Sequence, residues 1–288
     1  MNPRDPLDVA VLGAGRVGTA VAVLLAGAGH RIRAASGGDR SRARIQAHLP
    51  SVPFLPPAEA ARGSTVIVLG VPDDRIDDVC ASLRWRSGQA VIHLSGSVSL
   101  AALARARDDG AAVLSVHPLQ TVPDVEAGIA RLPGSAFAVT AEDEPGYALG
   151  ERLAADAGGR PFRLPDERKP LYHAAAVFCS NYLAVVEATA ARLLTEAGVP
   201  DPRAAMAPLA RATLENVLVD GPVALTGPAA RGDAGTVGRN LEAVAAAAPD
   251  LVPAYVALAD AALDIAEAGG RLDHAARARV EEVLARWR

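Results

Sequence analysis

Aromatic residues are scarce in this chain: two Trp, four Tyr and four Phe make up 3% of its 288 residues. Half of the residues are nonetheless hydrophobic, so Ala, Val and Leu must do most of the packing. Lysine is nearly absent: Lys169 is the single one, and arginine carries the other basic positions. The two cysteines, Cys80 and Cys179, have no C-x-x-C partner and no metal-ligand spacing, which argues against any metal site. Both lie in apolar surroundings and read as small core residues. The net charge of −4 is too mild to argue for nucleic acid or an acidic membrane surface as partner. No apolar run is long enough to cross a bilayer without a charge or a proline, so no membrane contact is expected. Met1 to Leu7 is short and polar and does not read as a signal peptide, which predicts a cytoplasmic protein. There is no internal repeat or low-complexity linker. The length allows two domains and a sizeable core.

The most informative stretch present is Asp8 to Arg44. Val9 to Leu12 read as a short buried strand, followed by Gly13-Ala14-Gly15-Arg16-Val17-Gly18 in a G-x-G-x-x-G pattern. An apolar helix runs from Arg16 to about Ala28, Gly29 stops it, and His30 to Ala35 form a second strand. The glycines serve separate mechanical ends. Gly13 allows the tight turn, Gly15 lets a pyrophosphate approach the backbone, and Gly18 lets helix and strand pack closely. The phosphates would sit on free N–H groups at the helix N-terminus. Strand, loop, helix and second strand together predict a dinucleotide cofactor.

The end of the second strand bears on which one. An NAD enzyme places Asp or Glu about 20 residues after the glycines to bond the ribose 2′-hydroxyl. Here that place holds Ala34, Ala35 and Ser36, with no acid before Asp39, and Arg40, Arg42 and Arg44 follow. A small polar residue with arginines suits a phosphate dianion, so Ser36 and Arg40 predict NADP.

The N-terminal half alternates strand and helix patterns, which implies a doubly wound parallel sheet of α/β class. Further strands read at 64–69, 89–94, 112–116, 135–140 and 161–164. Their carboxyl ends carry Val71-Pro72-Asp73, Ser95-Gly96 and His117-Pro118, which should face the cofactor. Composition changes at Pro165 to Pro170, which divides the chain into a cofactor domain, 1–165, and an all-helical domain, 166–288. Leu171 to Glu196 is nearly continuous apolar sequence with one polar seam, the pattern of a buried central helix. Helices follow at about 202–218, 234–248, 251–268 and 274–287.

On that long helix His173 and Ser180 fall two turns apart on one line, with Asn181 beside them and Lys169 one turn before. Polar side chains on an apolar helix are costly unless satisfied, which places them toward a cleft. Histidine there suits proton donation to a carbonyl oxygen that receives a hydride. A second constellation runs from Leu225 to Val237. Thr226, Arg231, Asp233 and Thr236 could form a carboxylate site, or an ordinary capped helix start with an Arg231–Asp233 ion pair. His117 either lies near the nicotinamide or bonds the backbone of its own turn.

The segments VAVLGAGRVGTAVA, VIVLGVPDDRI, HLSGS, VHPLQT, YHAAAVFCSNYL and ALTGPAARGDAGTV are spread over nearly the whole chain. On them the chain resembles two-domain Rossmann-like proteins whose C-terminal half is catalogued as a domain of unknown function. These are distant relatives of 6-phosphogluconate dehydrogenase, ketopantoate reductase and pyrroline-5-carboxylate reductase. The resemblance implies an NADP-linked oxidoreductase acting on a small carboxylate-bearing substrate, and a helical domain able to form a homodimer. Ketopantoate reductases place a catalytic lysine eight residues before an asparagine. Counting back from Asn181 puts His173 there, with Lys169 as the fallback donor. The Ser-Pro-Gly-Gly-Thr-Thr carboxylate segment of pyrroline-5-carboxylate reductases resembles Thr226-Gly227-Pro228 with Gly235-Thr236. The expectation is NADPH-dependent reduction of a small 2-oxo acid, ketopantoate first. A reductase of a cyclic imine of pyrroline-carboxylate type and a non-catalytic NADP(H)-binding regulator are the alternatives.

Overall fold

A computed structural model describes residues 5–288, in two compact units that divide between Ser180 and Asn181. The first is built on seven strands: β1 (Asp8–Leu12), β2 (Arg31–Ser36), β3 (Val66–Leu69), β4 (Ala90–His93), β5 (Ala112–Pro118), β6 (Ala136–Ala141) and β7 (Arg160–Arg163). Around them lie α1 (Arg16–Gly27), α2 (Asp39–His48), α3 (Pro57–Arg62), α4 (Ile76–Ala81), α5 (Ala104–Asp108), α6 (Val125–Arg131) and α7 (Glu144–Asp156). The strands are ordered β2-β1-β3-β4-β5-β6-β7. The sheet is not wholly parallel, as the alternating pattern had implied. β6 runs antiparallel to β5, and β7 runs parallel to β6.

Alternate residues along the strands feed two cores. Val9, Val11, Val68, Ile92 and Leu114 pack on one face against Ala20 and Leu25 of α1 and against Phe137. Ala10, Leu12, Ile67, Leu69 and Val91 pack on the other face against Ile76, Cys80 and Trp85. Phe137 and Trp85 are the large aromatics of these cores, so β-branched and alanine side chains do fill most of them. Strand register aligns Leu12, Leu69, His93 and Ser115 across the sheet, near its carboxyl edge.

A 3-10 turn at Asp166–Arg168 leads into α8 (Lys169–Val177). A π turn, Phe178–Tyr182, then joins α8 to α9 (Leu183–Glu196). In the second unit α10 (Pro202–Asp220), α11 (Ala234–Ala247), α12 (Val252–Ala268) and α13 (His274–Ala285) follow. Its core lies among α11, α12 and α13, around Val237, Leu241, Leu263, Val280 and Leu284.

Two expectations need correction here. The segment 171–196 is helical but not buried: no residue of α9 is buried, and Leu183, Val185 and Val186 are exposed, because no other described part of this chain covers them. Cys179, expected in a core, is exposed in the same run, whereas Cys80 is buried. The π turn makes 166–196 one unbroken helical run, long and apolar enough to cross a membrane by length and composition alone, although Lys169, Pro170, Glu187 and Arg192 interrupt it, as the sequence implied. α10 is likewise unburied, and a groove of about 610 Å³ lies between α9 and α10, lined by Leu183, Leu193, Met206, Leu209, Leu214 and Val217.

Candidate active site

The glycine loop closes on the carboxyl ends of β1 and β3, where the strand order reverses and open α/β sheets bind ligands. Gly13 has φ +79, and a Cβ there would lie 2.4 Å from Val71 Cγ1 and 2.8 Å from the Val71 nitrogen. A Cβ at Gly70 would lie 2.6 Å from the Gly13 oxygen, so the two loops meet backbone to backbone. The Ser36 carbonyl accepts the N–H groups of Gly13 and Ala14, and the Thr19 hydroxyl donates to the Ala14 carbonyl. Gly15 is the N-cap of α1 and provides no side-chain cap, which leaves the N–H donors of the first turn for an anion. The residues present therefore fit a pyrophosphate. Nearby, Arg16, Arg40 and Arg44 line one open cleft of about 630 Å³ together with His48. Arg42 is engaged elsewhere, stacked 4.5 Å over the Phe54 ring. The Ser36 side chain is buried at the end of β2, while Arg40 is exposed.

Two residues beyond the aligned row, the chains after β4 and within β5 place Ser95 and His117 at the carboxyl edge. Gly96 lies against the His117 ring: a Cβ on it would come within 2.8 to 3.0 Å of three ring atoms. His117 Nδ1 is 2.8 Å from the Tyr172 hydroxyl, and the two rings pack edge to face with centroids 5.5 Å apart. Phe162 of β7 backs Tyr172 at 6.0 Å. Beneath them Lys169 is fully buried, and its Nζ donates to the Ser95 carbonyl at 2.9 Å and the Ser115 hydroxyl at 2.8 Å. The Ser95 hydroxyl donates to Asp73, as does that of Ser97.

Burial pushes the His117 imidazole down to about 4, with the nearby charges of Lys169 and His173 acting in the same direction. Burial raises the Tyr172 phenol to about 12. It lowers Lys169 to about 8, against the pull of Asp166 and Asp73. At neutral pH the pair is thus a neutral imidazole on a protonated phenol.

Tyr172 was missed in the sequence: its partner is 55 positions away, and a tyrosine on an apolar helix gives no local signal. His117, Lys169 and Ser95, all singled out from sequence, do come together, with His173 close enough to act on His117 electrostatically. Lys169 is placed under the Ser95 turn rather than toward an open cleft, and both of its contacts are internal. His173 and Ser180 do not keep the single line expected of them, because the π turn interrupts the 3.6-residue spacing between them. Val71 is half-buried against Gly13, and Pro72 is exposed.

In the helical unit Asn181 is exposed. Asp233 caps α11: one carboxylate oxygen accepts the Thr236 N–H at 2.9 Å and the other accepts its hydroxyl at 2.7 Å. Arg231 donates to the Thr226 carbonyl, and Arg271 holds the carbonyls of Pro222, Val223 and Leu225. The loop's anion-binding groups are therefore largely engaged with one another. The geometry is that of a capped helix start, with Arg231 on backbone rather than paired to Asp233.

The sheet and its glycine loop define a dinucleotide-binding domain of Rossmann type, carried here with a helical unit. Residues 2–118 match a Rossmann-like domain, and residues 135–262 match a domain of unknown function, DUF2520. The chain is thus a Rossmann-like domain followed by a DUF2520 domain, the combination that the sequence resemblance implied. No curated protein matches it by sequence. Among solved structures, the Bacteroides fragilis protein BF3122, provisionally assigned as an NADP oxidoreductase, is similar with TM-score 0.74 and 22% identity, over 90% of this chain and 98% of that one. The Thermotoga maritima protein TM1727 has TM-score 0.70 and 22% identity, over 91% of this chain and all of its own. A reductive aminase from Aspergillus terreus, in complex with NADPH and ethyl levulinate, has TM-score 0.65 and 16% identity, over 99% of this chain and all of its own. At these identities the likeness is one of fold.

Proposed function

We propose that this protein is an NADPH-dependent reductase of a polarised carbon–oxygen or carbon–nitrogen double bond in a small molecule. The observation that carries this is the His117–Tyr172 pair at the carboxyl edge of the sheet that holds the glycine loop. A reduced nicotinamide, when bound, supplies hydride to an electrophilic carbon. The chain's own residues must then supply the proton. With the phenol donating to Nδ1, the imidazole carries its proton on Nε2. Nε2–H polarises the substrate heteroatom and passes its proton to it as negative charge develops, while the Tyr172 phenol proton moves to Nδ1. The phenolate then takes the Nδ1 proton back while solvent returns a proton to Nε2, which restores both groups. Holding the imidazole neutral keeps it a donor of a single fixed tautomer through the neutral pH range.

The absence of an acid at the end of β2, and the exposed Arg40 beside the Arg16–Arg44 cleft, support NADPH over NADH. For the substrate, a 2-oxo acid such as ketopantoate needs a carboxylate anchor, and the sequence-expected one in the loop 225–237 is occupied by its own contacts. A pyrroline-carboxylate-type imine needs the same anchor, whereas an imine without a carboxylate does not. That reading is favoured by the whole-chain likeness in fold to a reductive aminase and to a Streptomyces aurantiacus imine reductase, the latter with TM-score 0.62 and 18% identity over 96% of this chain and 99% of that one.

The uncovered faces of α9 and α10 support pairing with a second copy of the chain. Glu187 lines the groove itself, and Arg192, Arg211 and Glu215 lie on the same two helices, which suits a self-complementary protein face better than lipid. The test of function is NADPH oxidation against a panel of 2-oxo acids and cyclic imines. Turnover of a panel member that is lost in His117→Ala supports the reading, and turnover unaffected by that change contradicts it.

A further inference from the structure

The turn after β4 is held from three sides by charged groups. Lys169 donates to the Ser95 carbonyl, and Ser115, which accepts from the same ammonium, also donates to that carbonyl at 3.1 Å. Asp73 accepts the hydroxyls of Ser95 and Ser97 at 2.7 and 3.0 Å. Asp166 accepts the Ser99 hydroxyl at 2.5 Å and the Leu100 N–H at 3.0 Å. His93, wholly buried, accepts the Ser95 N–H on Nδ1, while its Nε2 has no hydrogen-bond partner among the described residues. What this braced turn presents toward the site is Gly96, on which the His117 ring rests with no space for a methyl group.

Burying an ammonium is costly, and at this place an apolar side chain would fill the volume without that cost. Both of the ammonium's contacts fix the turn. We propose that Lys169 is a positioning residue: by gripping the Ser95 carbonyl it seats the Ser95–Gly96 turn against His117 and so sets the orientation of the imidazole that Tyr172 bonds. This rests on the reading of His117 as the proton donor for its functional meaning, but the coupling itself can be observed without any substrate.

The groups facing the ammonium are Asp73, Asp166, Ser95, Ser115, His93 and His117, with His173 beyond His117. The two buried imidazoles keep one charge state from neutral pH upward, and Tyr172 titrates higher, near 12. Deprotonation of Lys169, near pH 8, is then the event that should disturb His117. The chain has six histidines, so long-range proton–nitrogen NMR spectra of their rings can be recorded from pH 6.5 to 10 and His117 assigned by its loss in His117→Gln. The expected result is a step in the His117 ring shifts with a midpoint near pH 8. It should persist in His173→Asn and vanish in Lys169→Met. In Ser115→Ala the midpoint should move to lower pH, because the ammonium loses an acceptor. A flat wild-type profile, or a step that survives in Lys169→Met, overturns the proposal. If Lys169→Met does not fold, Ser115→Ala decides: a lowered midpoint supports the coupling and an unchanged one overturns it. Failure of every substrate in the turnover panel would count against the reductase reading while leaving this result intact.

Discussion

The Tyr172 hydroxyl lies 2.8 Å from Nδ1 of His117, joining a helix that follows the sheet to the strand edge where the cofactor loop opens. In the proposed mechanism the phenol is the donor in that hydrogen bond, which leaves the imidazole proton on Nε2. Tyr172→Phe keeps the ring packing and removes the hydroxyl, so turnover should fall about 10- to 100-fold while NADPH affinity is unchanged. Steady-state rates together with a fluorescence titration of NADPH check both halves. Equal loss of affinity and turnover would place Tyr172 in binding instead.

Arg40 tests the cofactor assignment. Arg40→Ala should weaken NADPH by about tenfold, the cost of one charge-assisted contact, and leave NADH where it was. Calorimetric titration with both cofactors reads this directly. If the wild type binds NADH as tightly as NADPH, the 2′-phosphate reading fails.

Gly13 tests the fit of the loop. Alanine there must adopt φ +79 and place its methyl 2.4 Å from Val71. Gly13→Ala should destabilise the protein by about 1–3 kcal/mol and reduce cofactor affinity by at least tenfold. Urea unfolding and the same titration measure the two effects.

The cofactor half of this site is plain in the sequence because its constraints are local: a turn, a glycine without a side chain, and a helix start are all written within six consecutive residues. Strand positions were legible for the same reason. The antiparallel insertion of β6 was not, since an alternating or apolar run carries no direction. Nor was the His117–Tyr172 pair: Lys169, His117 and Ser95 could be singled out by type, but which of them is buried depends on strand register and on the turn that precedes α8. His173 looked aligned with Ser180 only on the assumption of a regular helix, and the π turn removes it. The long apolar helix was read as a core helix because sequence cannot say whether the covering surface belongs to the same chain.

Acid should destabilise the fold before the carboxylates titrate. Burial holds His93 near 3 and His117 near 4, below the value of about 6.5 for an unfolded chain's histidine. Between those limits the unfolded chain binds more protons, so unfolding free energy rises with pH and is lost as pH drops below about 6.5. His93→Asn preserves an acceptor for the Ser95 N–H and removes one titration, so its stability should change less between pH 7 and pH 4.5 than that of the wild type. Urea titrations at the two pH values check it, and equal slopes contradict the assignment.

The exposed rows of α9 and α10 predict association. Leu218 is 77% and Val219 82% exposed, so Leu218→Glu with Val219→Glu should not harm the single chain, yet should shift a dimer toward monomer in sedimentation equilibrium. A wild-type protein that remains monomeric at high micromolar concentration contradicts the pairing.

The central claim is that the His117–Tyr172 pair delivers the proton in an NADPH-dependent reduction. Its most direct test is the single-turnover rate of NADPH oxidation, with the panel member that the wild type reduces, in wild type, His117→Ala and Tyr172→Phe at saturating cofactor. The account predicts a fall of roughly 100-fold or more in His117→Ala and a smaller fall in Tyr172→Phe, with cofactor affinity preserved. Wild-type rates in both variants would contradict it.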